Sequence, residues 1–251
     1  MKFKVMTFNI RCCDDLGGNP IWRRALRLDI VTKPYKADVI GFQEWRPKWE
    51  KHINRIYGKK YEIYRQQRAD KDSESLVILW RKSKFECLDK GFFWLSDTPL
   101  EESRGWDEKY NCYRICAYAV LREKASGKTF TFMNTHFGFG DAGQVKSTEL
   151  IAEFAKKISD SPTVVVGDFN MTPSSVGYAS MIKHFTDVNT VTVNDMRNTY
   201  HGYAPNGKKC EHIDYCFVSG KIIPLGYKLI DKSVFGKYPS DHFGICTEYQ
   251  I

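Results

Sequence analysis

Six short polar clusters in this 251-residue chain carry residue types that can hydrolyse an ester or hold an ion. They are Asn9 in TFNI, Glu44 in GFQE, His136 in NTH, Asp168 with Asn170 in GDFN, Asp214 in IDY, and Asp241 with His242 in SDH. Each adjoins an apolar stretch of strand length. A carboxylate at the end of a buried strand is costly unless something pairs with it. A hard divalent cation such as Mg²⁺ solves that problem, because it takes carboxylate and amide oxygens and keeps several waters. Asp168 and Asn170 stand two residues apart, so an extended segment directs both to one side. Taken singly, an Asp or Asn after a strand is usually a turn or cap residue. A lone His beside a strand is more often a satisfied core or surface residue. Six such clusters are difficult to explain as separate turns.

The elements that must position these residues alternate strand and helix, then become strand-dense. Residues 2–10 alternate, with Phe3, Val5 and Phe8 apolar, as a first strand. Residues 21–31 place Ile21, Leu26, Ile30 and Trp22, Ala25, Leu28 near helical spacing between Pro20 and Pro34, which predicts an amphipathic helix. Residues 38–44 read as a short strand buried on both faces. Strands are predicted over 75–80, 85–95, 113–122 and 129–135, with a turn at Gly127 and Lys128. Residues 142–158 form the clearest helix, with Val145, Leu150, Ile151, Phe154 and Ile158 on one side. A buried strand over 163–167, a short helix over 175–182 and strands near 213–218 and 242–249 follow. No repeat, linker or composition break divides the chain. The expectation is a single domain over 1–251 with two packed sheets covered by helices.

Lys and Arg number 38 against 30 Asp and Glu, a formal net charge of +8, and aromatics make up 14%. That balance permits an anionic substrate or a nucleic acid and requires neither. The composition, 42% hydrophobic and 27% charged, excludes a long disordered or collagen-like protein. No apolar run approaches the ~20 residues of a membrane helix, and the N-terminal segment lacks a secretory-signal pattern. Eight Cys contain no C-x-x-C, so free, mostly buried thiols and a cytoplasmic location are expected.

In order, TFNI, GFQE, NTHF, GDFN, IDYCFVS and SDHFGI resemble the endonuclease/exonuclease/phosphatase superfamily, the deoxyribonuclease I-like fold. The resemblance runs from Met6 to Cys246. FFWLSDTP, RGWD and the Arg of YRICAY are similar to a bacterial branch of metal-dependent hydrolases. It implies an α/β four-layer sandwich, two packed mixed β-sheets flanked by helices, that cleaves phosphodiesters or phosphomonoesters with Mg²⁺ or Mn²⁺. It assigns Glu44 to the metal, Asn9 to metal and phosphate support, and Asp241 to a second acid on the metal side. It assigns Asp168 and Asn170 to the attacking water and scissile phosphate. His242 matches the catalytic histidine, with Asp214 orienting it. His136 matches a second histidine at the phosphate or leaving group, with Glu74 as its acidic partner. Arg114 matches a guanidinium beside the phosphate. Two positions depart from the pattern. Arg11 stands where repair-type nucleases carry an Asp, which argues against a second metal there and against a repair role. His212 stands where many nucleases have Arg.

Other features have plainer readings. Phe92 and Phe93 suit core packing. Trp94 and Trp106 are candidates for a substrate rim. Cys12 and Cys13 lie near the expected site, but the metal constellation already supplies the chemistry. His52, His184 and His201 are expected at the surface, and Lys208 and Lys209 in a solvated loop. The sequence thus predicts a monomeric, divalent-metal-dependent phosphoester hydrolase acting away from membranes. Net charge tips the substrate toward a nucleic-acid phosphodiester. The alternatives are a phosphomonoesterase on a sugar or inositol phosphate, and an inactive phosphate- or nucleic-acid-binding module.

Overall fold

Alternation in strand β1 (Lys2–Asn9) sends Phe3 and Val5 into one apolar layer and Met6 and Phe8 into another. A strand buried on both faces sits inside a multilayer stack. The computed structural model describes residues 1–251. The remaining elements are α1 (Ile21–Thr32), β2 (Val39–Trp45), α2 (Glu50–Tyr57), β3 (Tyr61–Ala69), β4 (Asp72–Arg81), β5 (Phe85–Trp94), β6 (Ile115–Glu123) and β7 (Thr129–His136). They continue with α3 (Asp141–Ile158), β8 (Thr163–Asp168), α4 (Val176–His184), β9 (Thr186–Asp187), β10 (Asp214–Ser219), β11 (Ile223–Ile230) and β12 (Gly244–Gln250).

Two mixed six-stranded sheets result, ordered β11-β12-β1-β2-β4-β3 and β5-β6-β7-β8-β10-β9. Their facing sides enclose one core, including Phe3, Val5, Ile78, Phe130, Phe132, Val164 and Tyr249. A second core, with Ala25, Leu28, Trp49 and Ile53, lies between the first sheet and α1 and α2. A third, with Ile151, Ala155, Met181 and Phe217, lies between the second sheet and α3 and α4. This is the expected four-layer sandwich.

Each sheet contains one parallel pair joined through a helix, β1-α1-β2 and β7-α3-β8. Parallel strands finish at the same end of a sheet. This brings Asn9 near Glu44 in one sheet and His136 near Asp168 in the other, and the bond from Asn9 to Asp168 joins the two ends. The antiparallel neighbours complete the set. Asp214 opens β10 directly opposite Asp168, and β12 follows His242 into register with β1.

Several details differ from the sequence reading. Helix α1 buries Ile21, Ala25, Leu28 and Val31, whereas Trp22, Leu26 and Ile30 are exposed. Helix α3 seats small residues, Gly143, Ser147, Ala152 and Ala155, in its contact face, with Leu150 and Phe154 at its border. Helix α2 and strands β3, β9 and β11 are additional elements. All eight cysteines are free, but only Cys116, Cys216 and Cys246 are buried.

Candidate active site

Beneath the site the two sheets are tied by buried amides. Gln43 Nε2 donates to Thr7 Oγ1 (2.9 Å) and to Asn134 Oδ1 (2.7 Å). Asn134 Nδ2 donates to the carbonyls of Phe42 and Val77. These residues belong to the GFQE and NTH motifs, yet they hold the sheets in register rather than face substrate. The approach is close enough that a Cβ on Gly41 would lie 2.9 Å from Val166 and 3.0 Å from Asn134 of the other sheet.

Above this floor lies a cavity of about 480 Å³. Glu44, Glu74, Arg114, His136, Asp168, Asn170, Asp241 and His242 all line it. Asn9 and Asp214 sit behind that lining and bond to it. A second cavity of about 500 Å³ lies between α1 and β11–β12, is mostly apolar, and shares no residue with the first.

Asp168 is the hub. Its Oδ2 accepts from Asn9 Nδ2 (2.9 Å), and its Oδ1 accepts from the Asn170 amide (3.0 Å). Burial, then the Asp214 charge, push its carboxyl up to about 7 against the opposing His242 charge. Asn170 reaches the cavity differently from the extended geometry expected. It follows the end of β8, adopts φ +49°, and is anchored by donating from Nδ2 to the Phe137 carbonyl.

His242 Nδ1 donates to Asp214 Oδ2 at 2.9 Å, while its Nε2 faces Asp168 Oδ2 at 3.7 Å. Burial opposes a charged ring, but the Asp214 and Asp168 carboxylates outweigh it and raise the imidazole to about 10. Asp214 is itself fixed by Thr199, whose Oγ1 accepts from the amides of Ile213 and Asp214.

His136 faces the same Asp168 oxygen at 3.5 Å from Nε2, but in a different setting. The expected Glu74 partner lies 3.9 Å from Nδ1, with the Arg68 guanidinium between them. Arg68 Nη2 stands 2.9 Å from His136 Nδ1 and forms an ion pair with Glu74. A guanidinium only donates, so Nδ1 accepts and the ring proton sits on Nε2. Burial, Arg114 and Arg68 push His136 well below its ordinary value. Arg68 was not foreseen, because its strand β3 reads as polar. Arg114 lines the cavity, but its Nε and Nη2 are engaged by Asp107 at 3.0 and 2.9 Å. Its buried Nη1 has no partner, and neither does Arg68 Nε.

Glu44 lies in a β-bulge of β2 with φ +60°, which breaks the strand's alternation. Its Oε1 accepts from Asn9 Nδ2 and its Oε2 from the Cys12 amide, both at 3.0 Å. Burial opposes its charge, but these donors, with His242 and Arg11, hold it near 2. Burial raises Asp241, with His242 opposing the shift and Glu44 adding to it.

The profile of the Endonuclease/Exonuclease/phosphatase family matches residues 6–242. The chain belongs to this family. Among solved structures, an endonuclease/exonuclease/phosphatase from Bacteroides vulgatus is 28% identical, with TM-score 0.91, covering 100% of this chain and 99% of that one. A mannosyl-6-phosphatase from Bacteroides thetaiotaomicron VPI-5482 is 26% identical, with TM-score 0.88 and coverage of 99% and 100%. D. rerio TDP2, complexed with single-strand DNA product, shares the fold at 19% identity, with TM-score 0.78 and coverage of 100% and 99%. Comparison with curated proteins gives no match.

Membership in the endonuclease/exonuclease/phosphatase family implies a divalent cation, and the donor chemistry fits one. Glu44, Asp168 and Asp241 line the cavity and Asp214 stands behind it, with His242 and Arg11 as close cationic neighbours. Asp168, Asp214 and His242 also bring candidate ligand atoms within 4.8 Å of one another, although the Nδ1–H of His242 is already committed to Asp214. No helix is long and apolar enough to cross a membrane.

The remaining candidates fall outside the cavity, except Cys12, which lines it. Phe93 is fully buried in the core. Trp94 Nε1 donates to the Arg68 carbonyl, bracing that strand rather than forming a rim. Lys146 covers Trp106. His212 is buried and bonds the Arg197 carbonyl. His52 is partly buried, and His184 pairs with Glu149. His201, expected at the surface, is only 3% exposed, packed against Phe243 and Tyr238. Lys208 and Lys209 are exposed and away from the cavity lining.

Proposed function

We propose that this chain hydrolyses small phosphate monoesters in a divalent-metal-dependent reaction at the Asp168 cavity. The observation that carries the reading is the donor set among the cavity-lining residues. Arg114 Nη1 and Arg68 Nε are buried donors without partners, and His136, held at Nδ1 by Arg68, carries its ring proton on Nε2. Unpaired buried donors are costly, and a phosphate dianion satisfies several at once. Glu44 and Asp241, with the Asn9 amide supporting Glu44, would hold the ion and leave the His242–Asp214 pair intact. A bound ion supplies Lewis-acid charge to a phosphate oxygen.

The chain's own groups divide the remaining work. Asp168, raised toward neutrality and oriented by Asn9 and the Asn170 amide, is suited to take a proton from the attacking water. His242, held charged between two carboxylates, donates from Nε2 to a phosphate oxygen. His136 donates as a neutral ring, and Arg114 adds fixed positive charge.

The cavity volume suits a sugar- or inositol-sized ester, and the relative named a mannosyl-6-phosphatase matches over 99% of this chain. The DNA-bound relative shares the fold alone. The net charge of +8 still favours the second reading, a nucleic-acid phosphodiesterase. The test is phosphate release from hexose 6-phosphates and inositol monophosphate, against cleavage of DNA and RNA oligonucleotides, with Mg²⁺, Mn²⁺ or chelator. Metal-dependent phosphate release is expected. Oligonucleotide cleavage alone would establish the nuclease, and no turnover under any condition would leave a binding module.

A further inference from the structure

Arg11 brings a positive charge within 4 Å of two carboxylates assigned to the metal, and the fold takes care to place it. Its backbone adopts φ +59°. Its amide donates to Asn9 Oδ1 at 3.0 Å. Its carbonyl accepts from Trp49 Nε1 and from both terminal nitrogens of Arg24, a fully buried arginine that also binds the carbonyls of Ile10 and Cys13. A left-handed residue clamped from both sides projects its side chain in one direction.

That direction is between the carboxylates. Arg11 Nε lies 3.6 Å from Asp241 Oδ2, and Nη1 lies 3.9 Å from Glu44 Oε2. Its better hydrogen bonds go elsewhere. Nε and Nη2 reach Asp15 at 3.2–3.3 Å, and the Tyr203 hydroxyl steadies Asp15 at 2.9 Å. The guanidinium thus has a close partner outside the site and two looser ones inside it. Three carboxylates around one guanidinium leave two negative charges, which a single divalent ion balances.

We propose that Arg11 is a resident cation of the metal site, sharing Glu44 and Asp241 with one divalent ion, lowering its affinity, and retained by Asp15 when the ion is bound. This rests on the assignment of Glu44 and Asp241 to the metal. The role explains why a family member carries a cation within a carboxylate cluster. Without the ion, the guanidinium compensates two poorly solvated carboxylates. With it, electrostatic competition keeps binding reversible and opposes a second ion.

The test is Mn²⁺ binding by calorimetry, with thermal unfolding followed in chelator and in Mn²⁺. Wild type is expected to bind one Mn²⁺. Arg11→Gln is expected to bind it about tenfold more tightly, because a like charge within a few ångströms is gone. The same variant should melt lower than wild type in chelator and gain more from Mn²⁺. Arg11→Lys keeps the charge and should shift less. Arg46→Gln, which removes a cavity arginine paired with Glu74 instead, should change affinity by less than about twofold. Asp15→Asn should weaken binding in wild type and do so less in the Arg11→Gln background, since Asp15 acts through Arg11.

Glu44→Gln separates the two levels. If it abolishes binding while Arg11→Gln, Arg11→Lys and Arg46→Gln all leave affinity unchanged, the role of Arg11 is overturned and the metal assignment stands. If Glu44→Gln binds Mn²⁺ as wild type does, the metal assignment itself fails, and the proposal with it. A second Mn²⁺ bound by wild type at this site would also overturn it.

Discussion

Two histidines approach the same oxygen of Asp168, His136 at 3.5 Å and His242 at 3.7 Å, yet the fold gives them opposite charge states. Behind His242 stands the Asp214 carboxylate, accepting from Nδ1. Behind His136 stands Arg68, which can only donate. Both rings are buried, so desolvation acts alike on each and cannot distinguish them. The neighbouring charges decide, Asp214 and Asp168 around His242 against Arg114 and Arg68 around His136. The His242 half of the cavity holds a proton firmly; the His136 half holds a neutral donor, with fixed charge supplied by arginines instead.

This contrast can be broken most severely at its shared point. Asp168→Asn and His242→Gln are each expected to lower kcat/KM by about 10³-fold or more, with the fold intact by circular dichroism. A rate within tenfold of wild type would remove that residue from the mechanism. Arg68→Met should have a smaller effect, a loss of about 10–100-fold, because it misplaces His136 and removes one phosphate donor without deleting the histidine. The same variant should move the His136 titration up toward its ordinary value. An unchanged titration would reduce Arg68 to a structural brace.

The smallest effect tests a histidine with no role in the chemistry. Burial, then the His242 charge, push His201 down to about 4, and neither ring nitrogen has a partner. An unfolded chain takes up that proton near the ordinary value of about 6.5, before the folded one does. Stability is therefore lost as pH falls from about 6.5 toward 4. His201→Phe should retain activity and shift the acid-unfolding midpoint to lower pH. A midpoint that stays put or rises would show that His201 does not set the acid limit.

Much of the site is legible in the sequence, because strand ends are local features. TFNI, GFQE, NTH and GDFN each close an apolar run; parallel pairing brings the ends together within each sheet, and sheet packing brings the two pairs together. Fold class follows from the same runs. What escapes is set by residues distant in the chain. Arg68 lies in YEIYRQQRA, whose polar alternation hides a strand, and its burial comes from packing across to His136. His201 looks solvated until Tyr238 and Phe243 arrive some forty residues later. The interposed guanidinium turns the expected Glu74–His136 pair into a three-member chain. Backbone strain is equally invisible, since the left-handed turns at Arg11, Glu44 and Asn170 do not occur at glycines.

The account's central claim is that one carboxylate is served by one charged and one neutral imidazole. Nitrogen-15 NMR of the imidazole side chains at neutral pH, in the 251-residue chain, reads it directly. The account predicts His242 protonated on both nitrogens and His136 protonated on Nε2 alone. A neutral His242, or a doubly protonated His136, would contradict it.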